Sequence, residues 1–281
     1  MDANAQSQTK PGSYPVGFAL SGGGARGFAH LGAIKALEEH EILPDLIAGV
    51  SAGSVVGALY CTGYTTEDIM DMFLKEHFKD FADITIPRVS LFNTDGFRDF
   101  LSRTLGKRTF RDMQIPLRVI ATDLDHGKST VFKSGVVADA VWASCSIPVI
   151  FPPVEINGVN YVDGGVLRNF PVFPIRNECD FIVGVDVNPM KLGDYKKNIL
   201  SIAERSYNMM FRSNSNEDKK ICDLLLEIDD IADYNIFDLK HIKDIVASGY
   251  AKSNHTLDKF KAAGRPGLSL DPPPSATQKN G

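Results

Sequence analysis

Gly49-Val50-Ser51-Ala52-Gly53 sets a serine between two glycines in the pattern G-x-S-x-G. The apolar run Leu46-Ile47-Ala48 precedes it and a helix-like stretch from Ala52 to Tyr60 follows. A serine at a strand-to-helix turn is the context of a nucleophile elbow, where flanking glycines relieve crowding and the serine oxygen stands at a helix N-terminus. A serine hydroxyl is too weak an acid to attack unaided, so it needs a neighbouring base. Histidine is the usual one, and the chain offers His30, His40, His77, His126, His241 and His255. The order serine, acid, histidine would single out His241 or His255. Both fall in a helix-like segment, where a solvated histidine is expected. Asp163, in Asp163-Gly164-Gly165, is the other candidate. An aspartate before two glycines is commonly a turn residue, but an elbow serine upstream makes it a candidate base.

A third glycine cluster, Gly22-Gly23-Gly24-Ala25-Arg26-Gly27, lies after the apolar run Val16–Leu20 and before a helical pattern. Its N–H groups beside a helix N-terminus suit an anion, either a pyrophosphate or the oxyanion of a tetrahedral acyl intermediate. Read as G-x-G-x-x-G, it matches a dinucleotide fingerprint only weakly and lacks the Lys-Ser/Thr ending of a P-loop. A dinucleotide site also wants an acidic residue at the end of the second strand, about 20 residues on. Here that strand ends in Gly-Val-Ser and Asp45 lies at its beginning. A nucleotide-binding oxidoreductase is therefore the weaker reading.

These clusters need a scaffold of alternating strands and helices. Phe28, Leu31, Ile34 and Leu37 recur every three residues, one face of a helix. Leu117–Thr122 and Phe181–Val187 are β-rich and nearly all apolar, as strands buried on both faces should be. Asp125-His126-Gly127-Lys128 and Asn157-Gly158 mark two hairpins. A last helix is expected over about Asp238–Phe260, with Leu239, Ile242, Ile245 and Val246 on one side. Asp68–Phe92 reads either as a cover or acyl-chain groove, or as a helix pair packed on the sheet. The fold class is α/β: a three-layer α/β/α sandwich with a mostly parallel central sheet, in a single domain over 16–263. Residues 1–15 read as a disordered leader and 264–281 as a disordered tail.

The 43% hydrophobic and 23% charged composition is that of an ordinary globular chain. A net charge of −5 gives no general attraction to nucleic acid. No apolar run is long enough to span a bilayer, and the first fifteen residues hold no apolar core like a signal peptide's. Cys61, Cys145, Cys179 and Cys222 are scattered and, without an export signal, read as reduced thiols of a cytoplasmic protein. No ligand cluster calls for a metal.

The three glycine clusters, in this order and context, resemble the patatin-like phospholipases, compact bacterial members in particular. Ala143-Ser144-Cys145-Ser146-Ile147-Pro148 followed by Phe151-Pro152 fits the same pattern. The resemblance covers about Val16–Phe260. It implies a lipid acyl hydrolase with a Ser51–Asp163 dyad, no histidine and no cofactor. The Gly22–Gly27 loop matches the family's oxyanion hole, with N–H donors at Gly23 and Gly24, and Arg26 takes its basic position. The implied partner is a lipid or acyl-ester substrate, with room for peripheral contact with a membrane. The alternative is a lipid-binding or regulatory domain that kept the fold and lost turnover.

Overall fold

The computed structural model describes residues 13–75, 95–189, 197–236 and 238–268. Eight strands form one sheet: β1 (Tyr14–Leu20), β2 (Leu46–Val50), β3 (Leu117–Asp123), β4 (Lys128–Phe132), β5 (Val154–Ile156), β6 (Val159–Asp163), β7 (Cys179–Asp186) and β8 (Leu224–Glu227). The spatial order is β5-β6-β3-β2-β1-β7-β8, with β4 also paired to β3. Neighbours among β3, β2, β1, β7 and β8 run parallel, and β4, β5 and β6 add antiparallel pairs at one end.

Alternation along the central strands supplies two cores. Phe18 and Leu20, Ile47, Val119, and Phe181, Val183 and Val185 face one side, where α1 (Ala29–Glu39), α2 (Ala52–Cys61) and α7 (Ile242–Ala262) cover them. Ala19, Ala48, Val50, Ile120 and Ile182 face the other, packed with Phe170, Val172 and Ile175. Near the end of α6 (Ile199–Lys220), Lys219 pairs with Asp186 at the end of β7 and with Glu227 at the end of β8. Helix α1 buries Leu31, Ile34 and Leu37, the stripe read from its sequence. The strands Leu117–Asp123 and Cys179–Asp186 and both hairpins lie where the sequence places them.

The register of β3 decides what meets what. Ile120 pairs with Val50 at the end of β2, and the next residue, Ala121, pairs with Asp163 at the end of β6. Strand β4 occupies the opposite edge of β3 continuously from Val119 to Asp123. Strands β2 and β6 therefore approach one edge of β3 from opposite directions, and their ends meet there.

Several boundaries differ from expectation. Helix α7 starts at Ile242, because the Asp238 carboxylate accepts hydrogen bonds from Lys240 N (3.1 Å) and His241 Nδ1 (2.8 Å) and holds a local turn ahead of it. Tyr14 N–H donates to Glu178 O at 2.7 Å, so Tyr14 and Pro15 belong to β1 and the ordered sheet begins before residue 16. Arg265 Nη2 donates to His40 O at 2.9 Å, past the expected limit of 263. Within Asp68–Phe92, α3 (Thr66–Lys75) is one amphipathic helix burying Ile69 and Phe73. The rest of that segment lies outside the described residues. Helices α4 (Asp95–Leu105), α5 (Val137–Ser144) and α6 were not read from the sequence.

Candidate active site

Strand β2 is buried along its whole length and delivers Ser51 to the sharp turn into α2. Ser51 has φ 49° and ψ −123°, a backbone region that favours glycine. Such a residue costs about 1–3 kcal/mol and persists only where its surroundings over-determine it. Here they do. Ser51 N–H donates to Ser144 Oγ at 2.8 Å, and Ser144 Oγ–H donates to Ile120 O at 2.6 Å. Ser51 O accepts from Ser54 N (2.8 Å) and Ser54 Oγ (2.7 Å). Gly53 lets the elbow close on β1, since a Cβ there would lie 2.3 Å from Leu20 O. Gly49 is crowded from the opposite side, a Cβ meeting Gly53 O at 2.5 Å.

Asp163 is 1% exposed. Its N–H donates to Ser146 O at 2.8 Å, and its Oδ1 accepts from Gly165 N at 2.7 Å. Gly164 fills the narrow space beside Ile120 O, where a Cβ would come within 2.2 Å. Burial pushes the Asp163 carboxyl up to about 7, against the opposing pull of the Ser51 hydroxyl and the Gly165 N–H. Asp163 Oδ2 is buried and has no hydrogen-bond partner among the described residues, while the Ser51 hydroxyl is near enough to favour the charged carboxylate. The Cys145 thiol faces the same centre, 4.0 Å from Ser54 Oγ. Burial raises its pKa far above neutrality, which leaves it protonated and a poor competitor as nucleophile.

The glycine loop leads into a 3-10 turn, Gly24–Phe28. Gly24 has φ 58°, and a Cβ there would lie 2.4 Å from Ile236 O. Two loop N–H groups are spent internally: Gly22 N on Asn169 O (3.1 Å) and Ala25 N on Ile236 O (2.7 Å). Gly23 and Gly24 stand at the start of the turn, where N–H groups have no intrahelical acceptor, and neither has another hydrogen-bond partner among the described residues. Arg26 differs from the other members of the loop. Its buried guanidinium donates to Tyr234 O (2.7 Å, from Nε) and Pro189 O (3.1 Å, from Nη1), so it ties the loop to the body of the protein. Burial lowers its pKa, with Glu204 opposing. At Gly27 an added Cβ would come 2.3 Å from Ala52 Cβ, which brings the loop hard against the elbow.

Other residues around the site carry no motif of their own. Asn169 is fully buried and bonds to Gly22 through both its carbonyl and its side chain. Asn214 on α6 donates to Gly165 O at 2.7 Å. Phe211, also on α6, packs at Gly165 and stacks on Tyr207 with centroids 6.0 Å apart. The Tyr207 hydroxyl donates to Pro148 O at 2.6 Å, and burial together with the charge of Asp163 raises its pKa. His30 lies behind the glycine loop, where burial lowers its pKa to about 4. It is therefore neutral and donates from Nε2 to Ser21 O at 2.9 Å. Among the described residues no histidine is hydrogen-bonded to Ser51 or Asp163. His241 pairs with Asp238, and His255 is exposed on α7.

A strained serine, a buried carboxylate and a pair of unspent N–H groups thus converge at the carboxyl ends of β1 and β2. The family model for patatin-like phospholipase matches residues 18–175, more than half of the chain. The chain belongs to the patatin-like phospholipase family. An uncharacterised NTE family protein of Mycobacterium tuberculosis is 32% identical over 219 residues, covering 76% of this chain and 61% of that one. Lysophospholipase NTE1 of Saccharomyces cerevisiae is 33% identical over 192 residues, 64% of this chain and 11% of the yeast protein. The chain thus spans under two thirds of these relatives. VipD from Legionella pneumophila shares the fold, with a TM-score of 0.58 at 17% identity over 89% of this chain and 67% of VipD. Among the described residues no helix is long and apolar enough to cross a membrane.

Proposed function

We propose that this patatin-like chain hydrolyses fatty-acyl esters of lipids, with Ser51 as nucleophile, Asp163 as general base and the Gly23 and Gly24 N–H groups as oxyanion donors. The observation that carries the reading is the meeting of a strained elbow serine with a buried carboxylate poised near neutrality. An ordinary aspartate, with pKa about 3.9, is a poor base, whereas one raised towards 7 accepts a proton effectively at working pH.

Ser51 Oγ attacks the ester carbonyl carbon while its proton passes to the Asp163 carboxylate. The carbonyl oxygen becomes an oxyanion facing the glycine loop. Collapse breaks the bond to the leaving alkoxide, which takes the proton from Asp163 and departs as an alcohol. Asp163 then removes a proton from water, the hydroxide attacks the acyl-enzyme, and Ser51 leaves with the proton restored. Preorganised N–H donors act here at no reorganisation cost, which is why they weigh so heavily.

Peripheral contact with a lipid surface belongs to the same reading. Ile199, Ile202 and Met209 are 79%, 47% and 49% exposed along one side of α6. Tyr207 and Phe211 on its other side reach Pro148 and Gly165 beside the base.

The test is labelling by a fluorophosphonate probe, which requires an activated serine, together with acyl esters of rising chain length that include phospholipid and neutral lipid. The expected outcome is labelling and turnover in the parent and neither in folded Ser51→Ala. A Ser51→Ala protein that still hydrolyses these esters would overturn the assignment.

A further inference from the structure

We infer that Asn169, acting with Asn214, is a positioning residue that fixes the glycine loop and the Asp163 loop relative to one another. This rests on the roles proposed for Ser51, Asp163 and the glycine loop. An unbroken line of hydrogen bonds joins the two loops. Gly22 N donates to Asn169 O at 3.1 Å, and Asn169 Nδ2 donates to Gly22 O at 3.4 Å. Asn169 N donates to Asn214 Oδ1 at 2.9 Å. Asn214 Nδ2 donates to Gly165 O at 2.7 Å and to Val166 O at 3.3 Å, and Gly165 N donates to Asp163 Oδ1 at 2.7 Å. Gly22 and Asn214 lie far in the chain from the segment 163–169, which carries Asp163, Gly165 and Asn169 together and is closed by Arg168 N donating to Gly164 O at 2.8 Å, so Asn169 is the point at which that segment reaches Gly22.

The remaining polar atom of Asn169 argues that the residue is more than filler. Its Oδ1 is buried without a hydrogen-bond partner among the described residues. It lies 2.3 Å from where a Cβ on Gly22 would stand and 2.8 Å from where one on Gly165 would stand. The amide is wedged between the two glycine motifs. A buried acceptor left unmet is unfavourable, and an apolar side chain would fill the space without that cost. An apolar residue would keep the bonds made by the backbone at 169 but could not supply the second hold on Gly22, from the side-chain amide to Gly22 O. A base and an oxyanion hole on different loops need this grip, because a misplacement of about 1 Å can cost about 10²-fold in rate.

The experiment uses a p-nitrophenyl acyl ester for turnover and the fluorophosphonate for nucleophile reactivity, both on the full chain. Asn169→Ala is expected to lower kcat about 10–100-fold with KM within about 3-fold. The second-order labelling rate should fall by the same factor while labelling still reaches completion, which a partly unfolded preparation would not show. Asn214→Ala should do likewise, and the double variant should cost little more than the worse single one, because Asn169→Ala cuts the side-chain hold on Gly22 O and Asn214→Ala cuts the support of the backbone at 169, two steps of one path. Asn214→Asp, which keeps the acceptor for Asn169 N–H, should recover part of the loss.

Beside the split between kcat and KM, Asn169→Asp reports whether the side chain at 169 sits at the Asp163 carboxylate. It sets a second carboxylate beside Asp163, since Asn169 Oδ1 and Asp163 Oδ1 both border Gly165. Among the described residues, the titratable groups otherwise facing Asp163 are Tyr207 from α6 and Cys145 at the end of α5, both held protonated. The rising limb of kcat/KM should therefore move to higher pH. Should Asn169→Ala fail to fold, the Asn214 variants carry the same test. Unchanged kcat in the folded alanine variants, or fully additive losses in the double variant, would overturn the positioning role. Turnover surviving in Ser51→Ala would instead strike the underlying dyad reading.

Discussion

Ser144 accepts the backbone N–H of Ser51 at 2.8 Å, so the last residue of one helix anchors the elbow that begins another. The same hydroxyl donates to Ile120 O at 2.6 Å, which pins the elbow to β3. Ser144→Ala removes both bonds without adding bulk. It should cost about 1–3 kcal/mol of stability for the buried groups left unpaired and lower kcat at least tenfold by loosening Ser51. Thermal melting and ester kinetics check the two effects together. Loss of stability with full kcat would show that the elbow holds its shape without this anchor.

Strain at Ser51 predicts a difference between two inactive variants. Both Ser51→Ala and Ser51→Gly lack the hydroxyl, but only glycine tolerates φ 49° with ψ −123° at little cost. Ser51→Gly should therefore melt above Ser51→Ala, by about 2–4 °C for each kcal/mol of strain released. Equal melting temperatures would mean that the elbow relaxes once the hydroxyl is gone.

Asp163→Asn keeps the shape and the acceptor for Gly165 N–H while removing the proposed base, so turnover should fall by about 10³ or more. Its stability should move the other way. The native carboxyl titrates at about 7, well above its ordinary value of 3.8. Between those values the folded protein keeps a proton that the unfolded chain has lost, so stability falls as pH rises through this window. Asparagine has no such slope. The variant should melt above the parent at pH 8, and the gap should close as pH falls towards 4. Parent kcat/KM should rise through about 7 as Asp163 ionises. A parent no less stable at pH 8 than the asparagine variant would place the carboxyl pKa near its ordinary value.

Gly24→Val meets both a positive φ and the Ile236 carbonyl, so it should displace the loop N–H groups. Losing one oxyanion donor typically costs about 10²–10³ in kcat. The expected signature is a fall of that size in kcat with KM little changed and with a melting curve and circular dichroism that report a folded protein. An effect confined to KM would assign the loop to substrate capture.

The outer side of α6 offers a test of interfacial action. Replacing Ile199, Ile202 and Met209 together by serine should lower turnover of phosphatidylcholine vesicles about tenfold, by the burial those side chains would lose at the lipid surface. A short-chain ester in free solution should be hydrolysed within about twofold of the parent rate. Equal losses on both substrates would instead give the stripe a structural role.

The sequence reveals the site where its constraint is local and hides it where the constraint is tertiary. Gly49, Gly53, Gly24 and the Asp163-Gly164-Gly165 run answer backbone demands at their own positions, so they stand out as motifs. Nothing marks Asn169 or Asn214, whose partners lie 147 and 49 residues away in the chain. Ser144 was visible only as part of a family pattern, although its bond to Ser51 spans 93 positions. Arg26 was placed in the oxyanion loop by the family resemblance alone, and its guanidinium is spent on two carbonyls whose positions depend on the completed fold. The fold class was legible from buried, nearly all-apolar strands and the period of α1. Helix α6 was not, because its largely polar sequence conceals the few residues, Phe211 and Ser215 among them, that it buries.

Because β2 and β6 end side by side on one edge of β3, that strand acts as a ruler on which Val50, the residue before Ser51, and Asp163 are consecutive marks. The distance between them is then a property of strand pairing, not of the loops that follow. A single residue inserted into β3 between Ile120 and Ala121 would part the two ends by about 3.3 Å or force a bulge. Slipping β6 by one residue would turn its side chains to the opposite face of the sheet. Length changes in the β4 hairpin or in the chain between α5 and β5 leave those marks in place. Variation in length is thus channelled away from Val50 and Asp163 and into the connections around them.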